Sequence, residues 1–383
     1  MLNWKQILVG LIAMPACAGE GLMCDQISTQ VAGLSTGGRA LGISVENAYA
    51  FVSVGEAGGV EGSGLLSIID IVDPATPTVV GTVATAGDGY GVWTDGSLAY
   101  VASGLAGLEI FDVLDVTNPT RIGITDTPGS ATSVVVSGSI AYVADLESGL
   151  AIVDVSDPAQ PQILTTLEIE GLVSGVEVDG PLVYIAAGSS GMIIVDASNP
   201  SDPVVVGSFD TPLFASDIAI DGIVAYIADF GSLVAIDILD PSAPSLIGSI
   251  ATSGQAQEVV VQGSVAYVAD GSEGVLTIDI VDPVSMSVAG GSDTQSGAFD
   301  LVVDGSLVFV ADNLSGIQIQ DFDGRCLACD ADMNKDGVLD FFDVSVFIQA
   351  FGALDPMADI TSDEFFDFFD VSEFLAAFGS PCL

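Results

Sequence analysis

The chain has 383 residues, half of them hydrophobic, and its 52 acidic and five basic residues give a formal net charge of −47 without any histidine. The apolar content excludes a disordered acidic tail, and the length allows one large domain or two to three ordinary ones. The charge excludes nucleic-acid binding and disfavours anionic membranes, because phosphate groups would be repelled.

The first predicted element is an export signal over residues 1–18. Lys5 supplies the positive end, Ile7 to Met14 the apolar stretch, and Ala16-Cys17-Ala18 a small-residue cleavage site. Lipid attachment at Cys17 is the alternative, although the residues before it match the usual leucine-led lipobox poorly. No later segment is apolar for the roughly 20 residues of a membrane span, so no transmembrane helix is expected. We therefore expect a bacterial protein that is secreted or held at the cell surface.

A repeat of about 42 residues follows. It is marked by seven aromatic residues at a nearly constant spacing: Phe51, Tyr100, Tyr142, Tyr184, Tyr226, Tyr267 and Phe309. Short β-branched runs between Asp-Gly turns and Asp-Pro corners, with no room for a helix, predict the four strands of a β-propeller blade. In the Tyr184 copy the predicted strands are Gly175 to Asp179, Leu182 to Ala186, Met192 to Asp196 and Val204 to Phe209.

The phrases "GLAIVDVSDPAQP" and "GSIAYVADLESGL" make the repeats resemble the LVIVD-repeat family of β-propellers. The resemblance extends over about three quarters of the chain and implies the fold. It implies little about activity, because propellers have many functions.

The last copy stops after its third strand. The segment Gln30 to Ser35 aligns with outer strands of the other copies, so it is predicted to complete the seventh blade of a propeller spanning residues 24–326. Four cysteines remain after removal of the export signal, and three pairings are possible. The alignment places Cys24 and Cys326 at the same corner of the blade, which favours a Cys24–Cys326 disulfide and leaves Cys329 to pair with Cys382.

Two acidic loops end the chain. Counted from Asp332, oxygen donors occupy positions 1, 3, 5, 7, 9 and 12, which is the ligand order of an EF-hand-like calcium loop. The predicted ligands of the first loop are Asp332, Asn334, Asp336, the Val338 carbonyl, Asp340 and Asp343. Those of the second are Asp359, Thr361, Asp363, the Phe365 carbonyl, Asp367 and Asp370. Helices are predicted after the loops, over Val344 to Phe351 and Val371 to Phe378.

The phrases "FFDVSVFIQAF" and "FFDVSEFLAAF", with Asp instead of Glu at position 12, make residues 327–383 resemble a dockerin-type module. The resemblance implies a small α-helical domain that binds Ca²⁺ and docks onto a cohesin-like or cell-surface partner. Phenylalanines stand where cellulosomal dockerins usually carry small polar recognition residues: Phe341, Phe342, Phe368 and Phe369. The partner is therefore not identified by the resemblance.

No catalytic residue is predicted. Without histidine the usual general base is missing, and a carboxylate-binding clamp would need converging arginines, whereas Arg39, Arg121 and Arg325 are scattered through the repeats. The residues nine before the aromatic markers begin the inner strands, and they are Gly42, Gly91, Ser133, Gly175, Asp217, Glu258 and Asp300. The three acids predict a cluster at the channel mouth that binds a cation or acts as an acid/base pair, with solvated strand-end caps as the alternative. Asp145, Asp229, Asp270 and Asp312 are expected to accept hydrogen bonds from turns.

These patterns favour an exported, non-catalytic interaction protein. The propeller would bind an unknown protein or glycan, and the C-terminal module would attach the chain to its partner. The alternative is a secreted carbohydrate-active enzyme that uses rim carboxylates such as Asp217 and Asp300. Only Gly55 to Ser63 exceeds the standard repeat length. Carbohydrate-active enzymes usually build clefts from long insertions, so this favours binding.

Overall fold

The structure, a computed structural model, describes residues 26–27, 29–56 and 63–322, together with Phe347. The residues from Gln26 to Gly324 form one compact unit, and residues 1–25 belong with residues 325–383 in a second. The export signal, the four predicted disulfide cysteines and both predicted calcium loops lie outside the described residues. Phe347 lies within the predicted helix Val344 to Phe351; it is helical and buried.

Seven sheets, each one blade, make up the described part of the first unit, and the four strands of every blade pair antiparallel. Blades 1 to 3 are β3 to β6 (Arg39–Glu46, Tyr49–Gly55, Gly64–Asp70, Thr78–Thr85), β7 to β10 (Val92–Thr94, Leu98–Ala102, Leu108–Asp112, Thr120–Thr125) and β11 to β14 (Ser133–Ser137, Ile140–Ala144, Leu150–Asp154, Gln162–Leu167). Blades 4 and 5 are β15 to β18 (Gly175–Asp179, Leu182–Ala186, Met192–Asp196, Val204–Phe209) and β19 to β22 (Asp217–Asp221, Val224–Ala228, Phe230–Asp237, Ser245–Ala256). Blade 6 is β23 to β26 (Glu258–Gln262, Val265–Ala269, Val275–Asp279, Ser287–Ser292), and blade 7 contains β27 to β29 (Asp300–Asp304, Leu307–Ala311, Ile317–Asp321).

The inner strands contact one another in a closed ring, from β3 through β7, β11, β15, β19 and β23 to β27 and back to β3. This is the predicted seven-bladed, all-β propeller. The four strands predicted for the Tyr184 copy coincide with β15 to β18. The agreement follows from local signals, since Asp-Gly turns and Asp-Pro corners fix where each strand ends.

The core lies between neighbouring blades. Second strands such as "IAYVA" in β12 are buried on both faces, and therefore read as continuous apolar runs. Tyr142 of blade 3 packs with Val176, Val183 and Val195 of blade 4. Complete burial of one large apolar side chain contributes about 1.5–3 kcal/mol, so each interface between blades adds stability to the ring.

The seam joins the two ends of the propeller. β2 (Thr29–Leu34) pairs antiparallel with β29 and completes blade 7, at the place predicted for Gln30 to Ser35. The Gln30 side chain donates a hydrogen bond to the Gln318 side chain across this pair. A two-residue strand that the sequence did not predict, β1 (Gln26–Ile27), pairs in parallel with β26. Two residues are too few to show a periodic signal.

The two faces of the ring carry different loops. We call the face where each inner strand begins the upper face. It holds the turns between second and third strands, and in five blades this turn forms a bridge to the connection that leads into the next blade, as in Gly104 to Ala131 and Gly188 to Ala215. The lower face holds the Asp-Gly turns and the Asp-Pro corners. No helix in the described part of the chain has the length and hydropathy to cross a membrane.

Candidate functional site

The central channel contains a cavity of about 600 Å³. Inner strands of all seven blades contribute to its wall, together with the connections that lead into them on the upper face. Asp179, Asp221 and Asp304, which end their inner strands on the lower face, do not line it. The cavity therefore extends from the upper mouth down the channel as far as Ile220 and Val261, the fourth of the five residues in β19 and β23.

The three acids predicted at the channel mouth all line this cavity. Asp217, Glu258 and Asp300 are the first residues of β19, β23 and β27, in three consecutive blades. The Asp217 and Glu258 carboxyl groups are hydrogen-bonded to each other, and the charge of Asp300 acts on both. The repeat frame thus placed these side chains in one cluster.

Each outer member of this trio also reaches the next blade. An Asp217 carboxylate oxygen accepts a hydrogen bond from the Val259 N–H at 3.2 Å, and an Asp300 oxygen accepts one from the Ile43 N–H at 2.8 Å. Inner strands have one unpaired edge, whose N–H groups need acceptors. The alternative prediction, that these acids are solvated caps of strand ends, is therefore correct about the capping hydrogen bonds. It is wrong about solvation for Asp217, which exposes only 8% of its surface.

Sequence reasoning missed a fourth acid, Glu177. It is the third residue of β15, lines the same cavity and raises the pKa of Glu258 through its charge. The nine-residue count selected Gly175 in this blade, but residues two apart on a strand point to the same side, so Glu177 was the next position to inspect. Gly175 has its own role: a β-carbon there would lie 2.6 Å from an Asp217 carboxylate oxygen, so only glycine leaves room for that side chain.

Burial raises the pKa of the whole cluster, which we call the acidic arc (Glu177, Asp217, Glu258 and Asp300). Burial, assisted by the charge of Asp217, raises the pKa of Glu177 to about 7. Burial likewise raises the pKa of Asp217 and of Asp300 to about 7. The pKa of Glu258 is raised well above its usual range, first by burial and then by Asp217 and Asp300. At neutral pH the arc therefore shares protons among its members.

The arrangement limits the chemistry that these acids can perform. The described residues contain no group of three or more His, Cys, Asp or Glu side chains placed to hold a metal ion. The carboxyl groups of a glycosidase lie roughly 5–9.5 Å apart with the substrate between them. Asp217 and Glu258 instead bond directly to each other, which leaves no such gap between them. Partly charged carboxyls beside a cavity are suited to receive a proton or an organic cation.

The acids that follow the aromatic strands have the structural role predicted for them. Asp145 accepts hydrogen bonds from the Thr127 hydroxyl at 2.6 Å and the Gly129 N–H at 2.7 Å. Asp229, Asp270 and Asp312 accept equivalent bonds from the backbone of the preceding connection. Glu109, which the sequence did not single out, is fully buried in blade 2, where it accepts from the Ala86 N–H and pairs with Arg121.

The upper rim carries an unusual backbone position. In all seven blades a residue one or two positions after the second strand has a positive φ: Glu56, Gly104, Leu146, Gly188, Phe230, Gly271 and Asn313. This conformation costs a non-glycine residue about 1–2 kcal/mol. Two of the non-glycine residues at this position, Asn313 and Glu56, bind the Arg39 side chain. Nitrogen atoms of the Arg39 guanidinium lie 2.9 Å from the Asn313 side-chain oxygen and 3.2 Å from a Glu56 carboxylate oxygen. The Arg39 guanidinium lies 5.9 Å from the centroid of the Phe299 ring at the cavity wall.

Solved structures show the same architecture. The designed protein Ika8 is 7% identical, with a TM-score of 0.54 over 76% of this chain and 99% of its own. BamB from Moraxella catarrhalis is 13% identical, with a TM-score of 0.56 over 78% of this chain and 98% of its own. Sqt1 from Saccharomyces cerevisiae is 7% identical, with a TM-score of 0.56 over 76% and 97%. At these identities the similarity shows the fold alone.

A search of curated proteins found no match. A family model of the LVIVD repeat matches residues 37–85, 86–127, 128–167, 170–211, 214–252 and 253–294, which together are more than half of the chain. The matches end before blade 7, whose third strand reads "IQIQD" and whose fourth strand is β2. The chain belongs to the LVIVD-repeat family, and its described part is a seven-bladed β-propeller.

Proposed function

We propose that this chain is an exported, non-catalytic interaction protein whose propeller is a binding platform. The observation that carries the proposal is the upper face, which holds a 600 Å³ cavity in the channel and, on its rim, exposed apolar side chains such as Leu213 and Phe230. Exposed apolar surface beside a concavity is typical of a site for another molecule. Asp217 and Glu258 are hydrogen-bonded to each other, and Asp217 and Asp300 accept hydrogen bonds from neighbouring strands. Such contacts are expected of residues that build the wall of a binding cavity rather than of a reaction centre.

The C-terminal region supplies attachment in this proposal. The spacing of Asp332, Asn334 and Asp336 supports calcium binding, and the paired "FFDVS" phrases support docking onto a cohesin-like or surface partner. The leader over residues 1–18 supports export. A calcium-dependent anchor and a propeller with a free upper face would together hold a ligand at the cell surface.

The test is capture of exported proteins from the producing bacterium on the immobilised chain, with calcium or with a chelator. We expect a discrete partner that is retained in calcium and released by chelation, because ligand binding would order the module. The double variant Asp332→Asn/Asp343→Asn should lose the partner, whereas Asp304→Asn on the propeller should keep it. Equal capture with and without calcium would overturn the attachment proposal.

A second candidate, a carbohydrate-active enzyme, is favoured by one observation: Asp217 and Asp300 have a pKa of about 7, which suits proton transfer near neutral pH. The direct bond between Asp217 and Glu258 opposes it. A glycan-hydrolysis screen should be blank. Hydrolysis that disappears in Asp300→Asn would make this candidate the function.

A further inference from the structure

Three apolar side chains lie on the upper rim, in blade 5 and in the connection that leads into it. They are Leu213, Phe214 and Phe230, and we call them the rim patch. The end of the Leu213 side chain lies beside Gly231, the chain neighbour of Phe230. Leu213 is 53% exposed and Phe230 is 42% exposed. The Phe214 ring packs over Gly188, where a β-carbon would lie 2.8 Å from it, and the same ring lines the cavity. Phe214, the chain neighbour of Leu213, therefore contributes an apolar ring to the wall of the channel mouth.

Phe230 occupies a strained position without being buried. Its φ is 54°, at the place where blades 2, 4 and 6 have glycine. Asn313 and Glu56 hold Arg39 from the same position, but the Phe230 ring is 42% exposed, so burial does not account for a phenylalanine there. Backbone strain that packing does not explain points to a functional use of the side chain.

The acidic arc gives the cavity beside this patch a negative character. Two cations lie within the described residues, and each has its own acid: Arg39 pairs with Glu56, and Arg121 pairs with Glu109. Neither pair includes a member of the arc. A recessed negative site with apolar walls attracts and concentrates cationic groups. Arg39 shows that an aromatic ring of this wall accepts a guanidinium at cation–π distance.

We propose that the upper face docks a protein segment that carries a lysine or arginine between apolar side chains. The basic group enters the cavity beside Asp217 and Asp300, and the apolar neighbours cover the rim patch. This inference rests on the proposed function of the propeller as an interaction platform and names the chemistry of its partner. A small amine could enter the cavity but would leave Leu213 and Phe230 uncovered, which is why the proposal commits to a protein segment.

A peptide titration tests the proposal. The probes are acetyl-Leu-Lys-Phe-amide and its neutral counterpart with norleucine in place of lysine, added to the full chain at pH 8. Trp93 lines the cavity and is the one tryptophan of the described residues, so its fluorescence reports occupancy, and Trp93→Phe identifies its signal. We expect saturable binding of the lysine peptide and at least tenfold weaker binding of the norleucine peptide. Equal binding of the two peptides, or no saturable change, would overturn the proposal.

Two variants with matched controls separate binding from folding. Asp300→Asn keeps an oxygen that can accept from Ile43 but removes a charge, and should weaken lysine-peptide binding about fivefold. Asp304→Asn, at the lower end of the same strand, should change nothing. Phe230→Gly relieves the strained backbone, so the melting temperature should hold or rise while binding falls about fivefold. Val281→Ser, an exposed apolar residue of a lower-face corner, is its control. Unchanged binding in both Asp300→Asn and Phe230→Gly would contradict the inference.

The same variants distinguish this inference from the proposed function. If the calcium-dependent partner is captured equally by the wild type, Asp300→Asn and Phe230→Gly, the interaction function stands and the upper-face site is wrong. If no partner is captured but the lysine peptide binds as expected, the site stands and the attachment proposal fails. Binding of free lysine amide with the same affinity as the tripeptide would assign the cavity to small amines and overturn the protein-segment proposal.

Discussion

Two arcs of the channel mouth connect neighbouring inner strands with opposite chemistry. On one side, which we call the hydroxyl arc (Thr132 and Ser174), side-chain hydroxyls donate to carbonyls of the next blade. Ser174 donates to the Ser216 carbonyl at 2.8 Å, and Thr132 donates to the Ser174 carbonyl at 3.3 Å. On the other side, Asp217 and Asp300 of the acidic arc accept from backbone N–H groups of the next blade.

Both arcs satisfy polar groups on the free edge of an inner strand, and a neutral hydroxyl does so at any pH. The acidic arc does the same with carboxyls that are close enough to influence one another. Burying like charges together costs free energy unless protons are retained. The difference shows that carboxyls are not needed to link neighbouring blades, since hydroxyls link them on the other side of the ring. What the carboxyls add is a dependence of stability on pH.

The largest expected effect is on the pH dependence of stability. The acids of the arc have a folded-state pKa above their unfolded values of about 4, so the folded propeller binds more protons than the unfolded chain between pH 4 and 7. The free energy of unfolding should therefore fall as pH rises through this window, and Glu258 should extend the fall above pH 7. Urea unfolding at pH 5 and pH 8, followed by circular dichroism, measures it. Greater stability at pH 8 would contradict the protonated arc.

An opposite trend is expected below pH 4. Hydrogen bonds from serine or threonine lower the pKa of five corner aspartates: Asp115, Asp154, Asp196, Asp240 and Asp282. A group with a lowered pKa stabilises the fold above its unfolded value and loses that contribution as pH falls. The propeller should consequently be most stable near pH 4 to 5.

Glu258→Gln tests whether the arc, rather than the overall charge of −47, causes the loss of stability at high pH. The amide keeps a donor for Asp217 at every pH, so the free energy of unfolding at pH 8 should be higher for the variant than for the wild type. At pH 5 the two should be equal. Glu273→Gln, an exposed residue of the same blade, removes the same charge from the surface and is the control. If both variants gain equally, general repulsion is the cause.

The position of these acids could be predicted from the sequence because every blade repeats one register. Asp217, Glu258 and Asp300 each pair with the alanine that ends the second strand, Ala228, Ala269 and Ala311, so a fixed offset from the aromatic marker found all three. That same offset could not find Glu177, which lies two residues deeper. It also could not show that Asp217 and Asp300 bond to the following blade, because such contacts depend on how the blades pack.

The strained rim could not be predicted either. A turn of this shape favours glycine, as at Gly104, Gly188 and Gly271, so Phe230 and Leu146 read as ordinary apolar residues until their φ angles are known. The seam, too, could be predicted only in part. The missing fourth strand of the last copy predicted where β2 pairs, but the glutamines at its interface, Gln318 and Gln320, carry no signal of burial in the sequence.

Gly175→Ala should disturb the acidic arc at Asp217. The added β-carbon would lie 2.6 Å from an Asp217 carboxylate oxygen and 2.8 Å from the Asp217 α-carbon. The α-carbon is part of the backbone of β19, so it cannot move away without disturbing that strand. Overpacking of this kind costs about 1–3 kcal/mol, and the loss should be seen in urea unfolding at pH 5 as well as pH 8. Gly231→Ala, whose β-carbon would meet only the end of the Leu213 side chain at 3.3 Å, is the control and should be nearly neutral.

The smallest expected effect compares a strained rim residue with its glycine counterpart in another blade. Leu146→Gly should stabilise the propeller by about 0.5–1 kcal/mol, because a leucine at φ 44° costs about 1–2 kcal/mol and the extra flexibility of glycine in the unfolded chain offsets part of the gain. Gly188→Ala, at the equivalent position of blade 4, should destabilise it, since its φ is 56° and the β-carbon would meet the Phe214 ring. Thermal melts of both variants at pH 5 check the pair. A loss of stability in Leu146→Gly would mean that the leucine side chain contributes more through packing than its backbone loses through strain, and the same reading would then apply to Phe230.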